Sequence, residues 1–190
     1  MARYLLLVFA AAIVGLILFG VLRSVFGSGF TMLLSLVLLA IGGVIVFRNL
    51  QTNRKVADAR DDVRAAALTF TPTPDKAALY VLRTQFVGKA VGVNVQIDGR
   101  DVAQIKSPRF TRILLTPGAH EIAGYTGTTK APAAGSGTSF NANAGDILVM
   151  MCAVEPQTVG TAVKFTPLTL DKARTDLQKT RMVAPDLAEV

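Results

Sequence analysis

The sequence predicts a membrane α-hairpin followed by an all-β domain and a short C-terminal helix. Three observations carry that prediction. Two apolar stretches, residues 4–22 and 31–47, lie in an opening segment of fifty residues that contains no Asp or Glu. Beyond residue 77 the apolar residues fall into short runs rich in Val, Ile, Leu and Thr, each bounded by Gly, Pro, Asn or Asp, the pattern of a multi-stranded β domain. Near the C-terminus Leu170, Ala173 and Leu177 recur at helical spacing. The 51% hydrophobic content and mean hydropathy of +0.45 are high, and the excess is concentrated at the N-terminus. Once the membrane part is set aside, 190 residues leave room for one domain. The expected division is a hairpin at 1–49, a basic stem and linker at 50–77, a β domain at 78–169 and a helical tail at 170–190.

A helix needs roughly 20 apolar residues to cross the hydrocarbon core, and both stretches reach that length, the second narrowly. The connector RSVFGSGF, with Gly27, Ser28 and Gly29, reads as a tight turn between two antiparallel helices. Ala11 with Gly15, and Thr31 with Ser35, are small residues spaced to let helix backbones approach. A cleaved signal peptide is the rival reading of the first stretch, but the apolar run continues well past Ala10, Ala11 and Ala12 to Phe19, which favours retention. Basic residues flanking spans stay cytoplasmic. Arg48, Arg54, Lys55, Arg60 and Arg64 follow the second stretch, the connector carries Arg23 alone, and Arg3 lies at the start. The rule places both the N-terminus and the C-terminal domain in the cytoplasm, or the domain in the periplasm if the first span is not retained.

The basic exit segment has two readings. It could touch anionic lipid headgroups, but Asp58, Asp61 and Asp62 interleave with its cations, whereas lipid-binding clusters hold about four to eight basic residues together. A solvated helical stem is preferred, with Arg54 and Asp58 four apart and a thin stripe of Val56, Ala59, Val63 and Ala66. Pro72 and Pro74 then interrupt any helix, because proline lacks an amide donor and pushes the preceding residue toward extended geometry.

Strands are expected at 78–83, 93–97, 101–106, 109–115, 119–126, 146–154 and 160–166. In VNVQIDGRDVAQI, Val93, Val95 and Ile97 alternate with polar residues before Asp98 and Gly99 turn the chain back. Asp-Gly between alternating runs is a strong hairpin signal, since the turn demands positive φ. Thr116, Pro117 and Gly118 make a second turn, with His120 following at the start of a strand.

The succession VNVQIDGRDVAQIKSPRFTRILLTPGAHEI resembles the core of PEGA-like domains of bacterial envelope and membrane-tethered proteins, in which an Asp-Gly turn is followed, two strands later, by a Pro-Gly-x-His turn. ALYVLRTQFVGKAVGVNV resembles the start of an uncharacterised group of bacterial domains that open on a Tyr-containing strand and an Arg. The match covers about residues 78–125. It implies a small immunoglobulin-like β-sandwich serving as a binding or accessory module, held at the bacterial inner membrane; fold analogy names no ligand.

The segment 127–145, with few apolar residues, reads as a long mobile loop with Phe140 as its anchor. The tail, with Asp171 at its start and Lys179 and Arg181 at its end, suits a helix dipole and stops at Pro185. Its apolar stripe packs back on the domain or docks a partner.

Catalytic chemistry is sparse. His120 is the only histidine and no Gly-x-Ser-x-Gly elbow accompanies it, so a local structural role is expected. Asp98 and Asp101 share a hairpin but lack the convergent oxygens of a cation site. Cys152, the sole cysteine, sits in the apolar run ILVMMCAV and reads as buried. A net charge of +7 is spread along the chain, and without Trp or a gathered basic face nucleic-acid binding is not expected. No catalytic, metal or cofactor residues and no small-molecule substrate are assigned. The expected partners are the bilayer and another protein or a second copy of the chain, at exposed β edges and the 127–145 loop. An envelope sensor of small ligands or glycans is the alternative, and needs a pocket lined by Tyr80, Tyr125 or Phe residues.

Overall fold

The computed structural model describes residues 2–51, 53–86, 88–126, 131–157 and 161–190, with the side chains of residues 2–8, 10, 11, 45, 46, 48–51 and 156 excepted. The chain forms two compact units, Met1–Phe47 and Arg48–Val190.

The first unit lies in helix α1, Ala2–Gln51, which contains one run long and apolar enough to cross a membrane, Ala12–Val44. Two separate spans joined by a turn are not what is seen. The connector stays helical on both sides of Gly27, whose φ of 77° and ψ of 171° make the one break inside α1. Local bonding explains why. Ser24 Oγ donates to the Val21 carbonyl at 2.8 Å, Thr31 Oγ1 reaches the Gly27 and Ser28 carbonyls at 3.1 and 3.0 Å, and the Phe26 and Phe30 rings meet at 5.0 Å. Without a proline, only glycine has left the helix, at a φ that glycine adopts without steric cost. The expected close approach at Gly15 is likewise missing, since a Cβ placed there would touch nothing within 4 Å. Ser35 bonds within the helix, to the Thr31 carbonyl at 2.8 Å; the Ala11 side chain lies outside the described residues.

The second unit contains α2 (Asp61–Ala67), β1 (Ala77–Arg83), β2 (Val93–Ile97), β3 (Arg100–Ile105), β4 (Arg109–Leu115), β5 (Gly118–Thr126), β6 (Thr138–Ala142), β7 (Ile147–Pro156), β8 (Thr161–Leu168), α3 (Leu170–Lys179) and β9 (Arg181–Met182). A five-stranded sheet runs β8-β7-β1-β4-β9 and a four-stranded sheet β3-β2-β5-β6. Their inner faces meet in one core, where Leu79, Val81 and Ile113 of the first sheet face Val93, Val95 and Ile97 of the second. Each such side chain contributes about 1.5–3 kcal/mol by leaving water.

β1 has no alternation because both its faces are covered. Every residue of Ala77–Arg83 is buried: Ala77, Leu79 and Val81 point into the sandwich, while Ala78, Tyr80 and Leu82 meet Phe70, Phe110, Ala173 and Leu177 under the helices. The tail therefore packs back on the domain, as the stripe on α3 suggests, and the architecture has a third, helical layer.

The stem is not a solvated helix. Residues 53–60 contain no helix, and α2 begins only at Asp61. Ala59 donates its amide to Met182 at 2.9 Å, Ala184 donates to Ala57 at 3.0 Å, and Val56 packs against the core. An exposed helical Arg-Asp pair is worth only about 0.3–0.5 kcal/mol, which burial of one valine and two backbone bonds outweighs. The C-terminal residues continue this seam along β4, where Leu114 donates to the Ala188 carbonyl at 2.8 Å, Val190 donates to the Leu114 carbonyl at 2.9 Å and Thr116 donates to Val190 at 2.9 Å.

The expected loop 127–145 contains β6, which pairs antiparallel with β5; residues 127–130 lie outside the described residues. With Asn143 and Gly145 closing its end, TSFNA is too short and polar to announce a strand, and it forms because β5 offers it a free edge.

Candidate functional site

The turn residues singled out by sequence meet at one end of the four-stranded sheet. Ile97 pairs with Arg100 across the β2–β3 hairpin, and the two residues between them have positive φ, 51° at Asp98 and 76° at Gly99. That is the geometry an Asp-Gly turn favours. Pro117 and Gly118, the latter at φ 150°, turn the chain into β5 and bring His120 beneath Asp98. Asp98 Oδ1 accepts the Glu121 amide at 2.9 Å, and Oδ2 lies 2.7 Å from His120 Nδ1. His120 Nε2 lies 2.8 Å from the Thr116 carbonyl.

This arrangement assigns the protons. A carbonyl only accepts, so Nε2 must donate to it; a carboxylate only accepts, so Nδ1 donates as well. In its protonated form His120 donates from both nitrogens and is clasped between two acceptors, with Phe140 of β6 packed 5.8 Å from its ring. Burial opposes the charge, but the Thr116 and Asp98 contacts outweigh it and raise the histidine above its usual 6.5. Burial also pushes the Asp98 carboxyl up, yet the Glu121 amide, His120 and nearby Arg100 together hold it below 3.8. Both ring nitrogens are occupied by structure, so the clasp ties the β2–β3 hairpin turn to the β4–β5 connection between the sheets and presents no free base. Asp101 is engaged separately, accepting from the Tyr125 hydroxyl at 2.8 Å.

The membrane-proximal cations do not form one patch. Arg54 pairs with Asp186 at 2.7 Å, Arg60 with Asp62 at 2.6 Å, and Arg64 donates to the Gln178 and Thr180 carbonyls at the end of α3. Lys55 is exposed and has no ion-pair partner among the described residues; the Arg48 side chain lies outside them. Asp58 pairs with Arg109 at 2.8 Å and Arg181 at 3.5 Å, well beyond its sequence neighbours.

Two buried groups need explanation. Arg83 is fully buried, and its guanidinium donates to the carbonyls of Val91 at 2.5 Å, Gly88 at 3.0 Å and Ile105 at 3.2 Å. It ties Gly88 and Val91 to β3 without a carboxylate, and burial lowers its pKa. Cys152 lies in the core, where burial pushes its thiol up to about 12. Such a thiol is a packing residue.

Two features are not legible in the sequence: a strand inside the 127–145 contact segment, and a basic recess. One is β6, the outer strand of its sheet, whose five residues include no charge and no proline. The other is a recess where Lys89, Lys106, Arg109, Lys179 and Arg181 converge; cations so far apart in the chain leave no local signal. No protein-family model matches the chain, and comparison with curated proteins and with solved structures finds no match.

Proposed function

We propose that this chain is a non-enzymatic, membrane-anchored β-sandwich protein that binds another protein, or a second copy of itself, as an assembly module of the bacterial inner membrane. The observation that carries the reading is the β6 edge. Natural sheets blunt exposed edges with lysine, proline or covering segments. β8, an edge of the other sheet, carries Lys164 and Pro167, and β3 is partly covered where Asp186 and Leu187 donate to the Val102 carbonyl. Among the described residues β6 has neither protection, which suits it to accept an extended strand from a partner. Apolar α1 supports anchoring, and the resemblance to PEGA-like, immunoglobulin-like domains supports an accessory role. The basic residues after α1 favour a cytoplasmic domain. Side chains from both sheets fill the sandwich interior, which counts against the glycan-sensing alternative.

A photo-crosslinking residue in place of Ser139, in the full chain in native membranes, tests the reading. A discrete protein adduct that disappears with Asn141→Pro is expected. Absence of any adduct, or one indifferent to that proline, would overturn it.

A further inference from the structure

The apolar helix and the basic recess are features of one chain, and together they identify a ligand. We infer that the recess lined by Lys89, Lys106, Arg109, Lys179 and Arg181 docks the domain onto anionic phospholipid headgroups of the bilayer that holds α1. The recess has a volume of about 490 Å³ and shares Lys106 and Arg109 with a second recess of about 240 Å³ that includes Lys55. Asp58 engages Arg109 and Arg181, but Lys55, Lys89, Lys106 and Lys179 have no ion-pair partner among the described residues. The surface thus retains unbalanced positive charge of the kind that binds phosphate-bearing membranes.

Two further observations favour a membrane over other polyanions. Phe86 stands 69% exposed, with Lys89 Nζ 5.2 Å from its ring centre. An exposed aromatic beside a lysine matches the apolar-plus-cationic contact of interfacial anchors. Chain reach is the second: α1 ends at Gln51, and Asn53, Arg54 and Lys55 already line the smaller recess. The short chain between α1 and Arg54 and Lys55 limits how far these two cations can lie from a bilayer that holds α1. Proximity raises the effective concentration of lipid over any soluble anion. The acids interleaved with the exit segment argue against a lipid site in sequence, but folding turns Asp62 to Arg60 and Asp186 to Arg54, and gathers Lys89, Lys106 just after β3, and Lys179 of α3 instead.

The inference rests on the membrane anchoring proposed above, and the test separates the two. The chain contains no Trp, so full-length protein carrying Phe86→Trp has one reporter. It is reconstituted into nanodiscs of phosphatidylcholine alone or with phosphatidylglycerol, each with brominated acyl chains. Stable incorporation into neutral discs reads anchoring by itself. Blue-shifted, quenched emission only in the anionic discs is the expected result. Neutralising Lys89, Lys106 and Lys179 together to Gln costs about fivefold per charge, on the order of a hundredfold in the docking equilibrium, and abolishes the quenching. In the chain retaining Phe86, amides 88–92 exchange more slowly in anionic than in neutral discs. Equal emission and equal exchange in both discs would overturn the inference. So would quenching that survives neutralisation, or a shift produced by a single-stranded oligonucleotide and not by anionic discs.

Discussion

Replacing His120 by Gln should remove a pH-dependent clasp without touching any activity. In the native fold both imidazole nitrogens donate, one to a carboxylate and one to a carbonyl. A hydrogen bond involving a charged group contributes about 1.5–3 kcal/mol, but the Asp98 side chain is 36% exposed and solvent screens part of its share. A total of about 2 kcal/mol is reasonable, which for a domain of this size lowers the melting temperature by roughly 5–10 °C. The folded pKa of His120 lies above 6.5, so its contribution is complete below that pH and is lost as pH rises through the folded value. The folded pKa of Asp98 lies below 3.8, so its contribution is present above 3.8 and lost as pH falls through the folded value. The clasp is therefore strongest between those limits. Thermal unfolding of the full chain in detergent, from mildly acidic to alkaline pH, measures this. Native protein should lose stability on the alkaline side, and His120→Gln should start lower and lose that slope. Parallel curves for the two proteins would refute the doubly donating histidine. A catalytic histidine would instead leave stability intact on substitution.

Two further outcomes follow from the buried groups. Arg83→Met strands the Val91, Gly88 and Ile105 carbonyls and should cost about 3 kcal/mol, read as a lowered denaturant midpoint; an unchanged midpoint would show that the guanidinium does not tie Gly88 and Val91 to β3. Cys152, with its thiol pushed up to about 12, should resist iodoacetamide at mildly alkaline pH until denaturant is added, and rapid alkylation of the folded chain would contradict its burial.

Local chemistry announced itself in this chain wherever a short stretch decided its own conformation. The Asp98-Gly99 turn, the β2 and β4 boundaries and the amphipathic tail helix were legible because positive φ, strand alternation and helical spacing need only near neighbours. The stem was misread for the complementary reason. Arg54 and Asp58 are ideally spaced for a helix, but their charges are taken by Asp186, Arg109 and Arg181, which no window around the stem contains. β6 escaped notice because a polar five-residue strand exists only where a neighbour supplies its hydrogen bonds.

The sequence by itself determined an apolar N-terminal helix, a β-rich domain and a histidine tied to a turn, since hydropathy and turn chemistry are properties of contiguous residues. Tertiary structure alone decided that the stem is a seam of the domain and that lysines from distant segments share one recess. Those outcomes depend on long-range pairing, in which backbone bonds and buried side chains outweigh the small energies of surface charge pairs.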